Sequence, residues 1–205
     1  MDELSFDAVL CDFDGVVHLW DPDAMNALDR AWGLAPGTLA GTAFNSELLH
    51  AAVTGRLSDE QWRHRVAEAL ASVCGSPARA RQLTTAWSAL TGRVDTEVVT
   101  LLAALRRRVP VVLVSNATTR LETQLASVGL ADAFDAVVNT ARIGVAKPDP
   151  RVFAIALQQA GVDKERCLFV DDTLAHVDAA RAAGLRGLHY QRFEQLRDVA
   201  APLLG

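Results

Sequence analysis

Three short apolar runs in this chain end in polar residues that can do chemistry: AVLCDFDG, PVVLVSNA and CLFVDDT. They supply Asp12 and Asp14, Ser115 and Asn116, and Asp171 and Asp172. Lys147 follows a fourth run, AVVN, in the segment VAKPDP. If these run ends meet in one crevice, their carboxylates repel one another and any anionic substrate by several kcal/mol, even at an effective dielectric near ~20. One lysine does not offset that charge. A hard divalent cation does, and Mg²⁺ is characteristically held by one or two carboxylates together with water and substrate phosphate. With the ion beside Lys147 the centre becomes cationic and suits a phosphoryl group. Asp12 and Asp14 stand at i and i+2, which on an extended segment places both on one side. One of the pair can attack phosphorus while the other protonates the leaving oxygen and later takes a proton from water. Gly15 lets the chain turn away sharply behind them. The Ser115 hydroxyl and the Asn116 backbone N–H can donate to phosphoryl oxygens.

Convergence of these residues requires particular elements. Apolar runs at Ala8–Phe13, Val109–Val114, Ala136–Val138, Cys167–Val170 and Gly187–Tyr190 are predicted strands. Helical periodicity falls between the later ones, over Thr118–Val128, Arg151–Ala160 and Leu174–Ala183, and these stretches end at Gly129, Gly161 and Gly184. Strands that are apolar on both faces, alternating with helices, predict a doubly wound α/β core around a parallel sheet. Ligands bind such sheets at the carboxyl ends of the strands, where the polar residues lie.

Residues 18–92 read differently. Their periodic segments are helical and no strand pattern stands out. Ser58 followed by Gln61 forms a candidate capping box ahead of an apolar stripe of Trp62, Val66, Ala69 and Leu70. Pro77 suits the first turn of another helix, with Leu83, Trp87 and Leu90 on one face. The expected organisation is therefore a Rossmann-like core from residues 1–17 and 93–205, with an all-helical insert at 18–92.

DFDGV with its preceding strand resembles motif I of the haloacid dehalogenase-like hydrolase superfamily, and VLVSNAT, VAKPDP and FVDDT are similar to its motifs II, III and IV, in order. The helical insert is similar to the family's cap placed after motif I. The resemblance implies that Asp12 is a nucleophile forming an aspartyl-phosphate and Asp14 the general acid/base. It further implies that Ser115 binds the phosphoryl group, that Lys147 stabilises it, and that Mg²⁺ is held by Asp12, the Asp14 carbonyl and Asp172. Asp171 would be a direct or water-bridged partner of the ion. Family members that cleave carbon–halogen bonds lack an acid at the Asp14 position, so the expected activity is hydrolysis of a small phosphate monoester. A phosphomutase shares the same motifs, and a non-enzymatic binding protein would have no need to keep mutually repelling acids. Where many relatives carry Asp or Asn, this chain has His176, read as a cap on the helix opening at Leu174 or a group in the metal's outer shell.

Other features carry plainer readings. A net charge of −5 over 205 residues offers no basic field for nucleic acid, and no apolar run has the length of a membrane span. The acidic start MDELSFDAVL does not read as a signal peptide. Cys11, Cys74 and Cys167 lack metal-ligand spacing and read as buried reduced thiols. Together these point to the cytoplasm, while the small phosphorylated partner is what the resemblance implies, with monomer or dimer left open. Trp32, Trp62 and Trp87 read as core of the insert. Arg106–Arg108 read as a solvated helix end, and Arg56 as surface charge or a contact to the substrate's non-reacting part. His18 and Trp20 sit where the chain leaves the core and are candidates for the border of the site.

Overall fold

The computed structural model describes residues 6–205, so the beginning of the acidic segment read against a signal peptide lies outside the described residues. Five parallel strands form the central sheet: β1 (Ala8–Cys11), β4 (Val111–Ser115), β5 (Ala136–Asn139), β6 (Cys167–Asp171) and β7 (Arg186–His189). Their order is β5-β4-β1-β6-β7, so the chain winds outward from β1 in both directions. This is the doubly wound arrangement expected, with its switch at β1, where an open α/β sheet has its binding crevice.

Successive residues on the strands serve opposite faces. Val9, Cys11, Val111, Leu113, Leu168 and Val170 belong to one apolar cluster, with α6 (Thr96–Leu105), α7 (Leu121–Ser127) and α11 (Phe193–Leu204). Ala8, Leu10, Val112, Val114, Cys167 and Phe169 belong to the other, with α9 (Pro150–Ala160) and α10 (Leu174–Ala182). Burial on both sides explains why the strands read as continuous apolar runs. Gly129, Gly161 and Gly184 adopt the left-handed φ expected of residues just past a helix end.

Some boundaries differ from expectation. β4 starts at Val111, because Pro110 has no N–H for the ladder, though its carbonyl still accepts from Val9 N. β1 stops at Cys11 instead of Phe13: the Phe13 carbonyl turns to receive the N–H groups of Val17 and His18, both at 2.9 Å. The segment from His18 also contains a strand that the sequence hid. β2 (His18–Leu19) pairs antiparallel with β3 (Arg93–Val94), so the two chain crossings between core and insert are stitched together.

Between these crossings lie α1 (Ala24–Ala31), α2 (Thr38–Ala43), α3 (Ser46–Val53), α4 (Asp59–Leu70) and α5 (Pro77–Ser88). They share their own apolar cluster, in which Trp62 and Trp87 are buried and Trp32 packs at the edge. The Ser58–Gln61 capping box forms in both directions, and Pro77 occupies the first turn of α5. The three cysteines are free and buried.

The α9 face depends on Phe153, which is fully buried and meets Phe169 edge-on at 5.2 Å. Phe153→Ala is expected to lower the unfolding free energy by about 3–5 kcal/mol, read as a reduced urea midpoint at unchanged slope. A loss under about 1 kcal/mol would mean that this face repacks freely.

Candidate active site

The register brings the candidate residues to one edge. Cys11 is level with Leu113 and Val170, so Asp12 emerges beside the end of β6, and its N–H donates to Val170 O at 2.9 Å. Asp171 ends β6, and Ser115 ends β4 level with Asn139. Lys147 reaches in from the loop after α8 (Thr140–Ile143). Its ammonium lies 2.9 Å from Asp12 Oδ1, 2.6 Å from Asp171 Oδ2 and 2.9 Å from the Val114 carbonyl. Asn116 clamps that loop: its amide donates to Lys147 O at 2.9 Å and accepts from Lys147 N at 2.8 Å. The Asn116 side chain is thereby occupied, which leaves its backbone for any anion.

Asp12, Lys147, Asp171 and Ser115 are all buried. Burial raises Asp12 to about 7, against the downward pull of Lys147. Burial alone would also raise Asp171, yet the hydrogen bond from His176 and the Lys147 charge hold it at about 2. Lys147 itself is raised: desolvation opposes its charge, and the two carboxylates outweigh that. Asp172 is raised, by partial desolvation of its carboxylate first and by the neighbouring Asp171 charge second. Burial lifts the Cys11 thiol far above its ordinary value and Cys167 to about 12, which keeps both as neutral packing groups.

Gly15 is required on two counts. Its φ is +85°, and a Cβ there would overlap the Asp172 carboxylate. The tight passage seats the motif I turn directly against Asp172. Asp14 belongs to that turn and not to an extended strand, so the same-side argument from alternation does not describe it. Its Oδ1 is instead held by His18 Nδ1 at 2.9 Å and Trp20 Nε1 at 2.8 Å.

Two further readings change. The helix expected from Thr118 begins only at Leu121, as α7, because Thr118 and Thr119 are drawn into bonds with Asp59 of the insert. His176 does not cap α10, whose N-cap is Thr173 without a side-chain bond. Its Nδ1 lies 3.1 Å from Asp171 Oδ2. Arg106–Arg108 are exposed at the C-terminal end of α6, as expected, and Arg106 there also binds Asp135 and the Asp132 carbonyl. Arg56 bonds Thr54 and lines a groove with Ser46, Glu47 and His50, none of them in the acid cluster.

Among the described residues, Asp12, Asp171 and His176 offer ligand atoms within 4.8 Å of one another. Together with Asp172 across Gly15, this donor set is dominated by carboxylate oxygen, which fits a hard divalent cation. The insert meets the core close by. Asp59 N–H donates to Thr119 Oγ1 at 3.0 Å, Thr118 Oγ1 donates to Asp59 Oδ1 at 2.8 Å, and a Cβ on Gly55 would strike the Ala141 carbonyl.

Comparison with known proteins agrees with this geometry. A family profile described as haloacid dehalogenase-like hydrolase matches residues 6–184. The chain is 36% identical over 137 residues to a phosphoserine phosphatase of Thermus thermophilus, covering 64% of this chain and 55% of that protein. It is 29% identical over 189 residues to the sesquiterpene phosphatase astK of Aspergillus oryzae, covering 90% of each. The match spans only 32% to 57% of the length of the Thermus protein and two further curated relatives. An enzyme of the same family from Bacteroides thetaiotaomicron, solved with magnesium and inorganic phosphate, shares the fold at TM-score 0.73 and 19% identity, over 94% of this chain and 99% of that one.

The raised Asp12 has a consequence for stability. Without metal, the folded protein holds a proton on Asp12 more tightly than the unfolded chain, whose value is near 3.8. That contribution to stability therefore declines as pH rises from about 4 to about 7. Asp171 has the opposite sign: its contribution is present above its unfolded value and is lost as pH falls towards 2. Asn imitates the neutral carboxyl. In chelator-treated protein, Asp12→Asn removes this pH dependence at the cost of one partner of Lys147, which keeps Asp171, so the stability of the variant relative to wild type is expected to be more favourable at pH 8 than at pH 4. Urea titrations across pH measure the difference, and a difference between the two proteins that stays constant from pH 4 to pH 8 would refute the account.

Proposed function

The chain belongs to the haloacid dehalogenase-like hydrolase family, and we propose that it is a Mg²⁺-dependent phosphohydrolase of small phosphate monoesters. The observation that carries this reading is the buried Lys147 ammonium joined to both Asp12 and Asp171 at the switch point of the sheet. That arrangement leaves Asp12 an anchored carboxylate with its second oxygen unclaimed by lysine. The names of the Thermus and Aspergillus relatives, a phosphoserine and a sesquiterpene phosphatase, support phosphate-ester cleavage with very different leaving groups.

In this reading Asp12 attacks phosphorus and forms an aspartyl-phosphate, while Asp14 gives a proton to the departing oxygen. Water then attacks the phosphoryl group as Asp14 takes its proton, and Asp12 is released as carboxylate. Ser115 and the Asn116 backbone N–H bind phosphoryl oxygens, and Lys147 keeps the nucleophile oriented while countering charge that builds on the phosphoryl group. Asp12, the Asp14 carbonyl and Asp172 would hold Mg²⁺, with Asp171 directly or through water. When bound, the ion supplies the positive charge that four acids and one lysine lack. The helical insert of residues 18–92 acts as a cap that limits water at the site until the phosphoryl group has moved. The substrate is a sugar phosphate or related metabolite, and the location is cytoplasmic.

An aryl phosphate assayed with and without Mg²⁺ tests the reading. Wild type is expected to release phosphate only with the ion, and Asp12→Asn to fall to the detection limit. Turnover persisting in Asp12→Asn would remove the assigned nucleophile.

A further inference from the structure

The carboxylate assigned as general acid is gripped by the chain's path into the insert. Asp14 Oδ1 faces both His18 Nδ1 at 2.9 Å and Trp20 Nε1 at 2.8 Å. An indole N–H can only donate, so this oxygen is fixed as an acceptor. The grip is itself supported. The His18 ring is buried, stacks on Phe13 at 5.0 Å and 4°, and meets the Trp20 ring edge-on at 4.7 Å. Its backbone carbonyl accepts from Gly15 N at 2.8 Å. In β2 it pairs with Val94, and a Cβ on Gly92 would collide with its ring. Both crossings between core and insert thus close on one imidazole. Trp20 is 45% exposed, an unusual place for a large aromatic unless its N–H is in use.

We propose that His18 and Trp20 are positioning residues for Asp14. The last torsion of an aspartate is broad when nothing holds it. Two donors on Oδ1 stop that rotation and leave Oδ2 to carry the exchangeable proton. In the forward step the bond from phosphorus to the leaving oxygen breaks as that oxygen takes the Oδ2 proton. In the second step Oδ2 takes a proton from the attacking water. Because the donors stand on the stitched crossings, the orientation of the acid is linked to the seating of the insert. This inference rests on the phosphohydrolase reading above.

The test uses the dependence on leaving group. An acid matters most when the departing oxygen is basic, so kcat/KM, which reports the first phosphoryl transfer, should be compared for 2,4-dinitrophenyl phosphate, phenyl phosphate and an alkyl phosphate. Trp20→Phe keeps an aromatic ring at the exposed position and removes the donor. It is expected to lower kcat/KM for the alkyl ester by about 10-fold or more and for the dinitrophenyl ester by under about 3-fold, within the 10²–10⁴ that general acids contribute. His18→Phe, which keeps the stacking, should steepen the same dependence, and Trp20→Phe should add no further loss in an Asp14→Ala background. Equal losses across the three esters, or none, would overturn the positioning role while leaving the phosphohydrolase intact. A folded wild type inert towards every ester with Mg²⁺ would instead overturn the reaction, and the positioning role with it.

Discussion

A single buried ammonium organises the crevice. Lys147 is held between Asp12 and Asp171 and bonds the carbonyl that precedes Ser115, so it contacts the ends of β1, β6 and β4 at once. A buried charge stripped of one partner typically costs about 3–5 kcal/mol. The neighbouring architecture reads as provision against that cost. β1 and β6 must be adjacent for the two carboxylates to share the lysine, and the register sets Asp12 beside Val170. The loop that delivers Lys147 cannot swing, because Asn116 holds both its N–H and its carbonyl. The residue that sequence spacing assigned to phosphate therefore spends its side chain on fixing the cation.

The same constraint sorts the four acids by environment. Asp12 and Asp171 are buried with a cation, whereas Asp172 faces solvent across Gly15 and Asp14 is held by His18 and Trp20. Like residues in unlike surroundings acquire different tasks, which is how one pair of carboxylates can serve as nucleophile and as acid in a single site. His176 belongs to this sorting too, because its contact with Asp171 helps keep that acid ionised beside a second, raised carboxyl.

Much of this is legible in the amino-acid sequence. Continuous apolar strands, glycine-stopped helices and the Ser58–Gln61 box are local signals, and local signals predicted the doubly wound sheet and the helical insert. The meeting of Asp12, Ser115, Lys147 and Asp171 was inferable because a parallel sheet gathers its strand ends. What stayed hidden was decided by distant partners. β2 and β3 have two residues each, too few to show a period. The start of α7 depends on Asp59, roughly sixty residues earlier, capturing Thr118 and Thr119. The role of His176 turned on whether its ring met a backbone N–H or the carboxylate five residues before it, and both lie within reach of a residue on the first turn of a helix.

The contrast between Asp12 and Asp14 also divides the site by where its parts are anchored. Asp12 is fixed by the Phe13 N–H and by Lys147, which Asp171 holds in turn, all of them in the core. Asp14 is fixed by residues on the exit strand and just past it, where the chain has left the sheet for the insert. A shift of the insert, pivoting on the β2–β3 ribbon, would thus disturb the acid before it disturbed the nucleophile. In the proposed reaction the nucleophile is held by core residues alone, whereas the proton donor is held by the chain's path into the insert, so leaving-group protonation is the step most directly tied to how the two crossings pair.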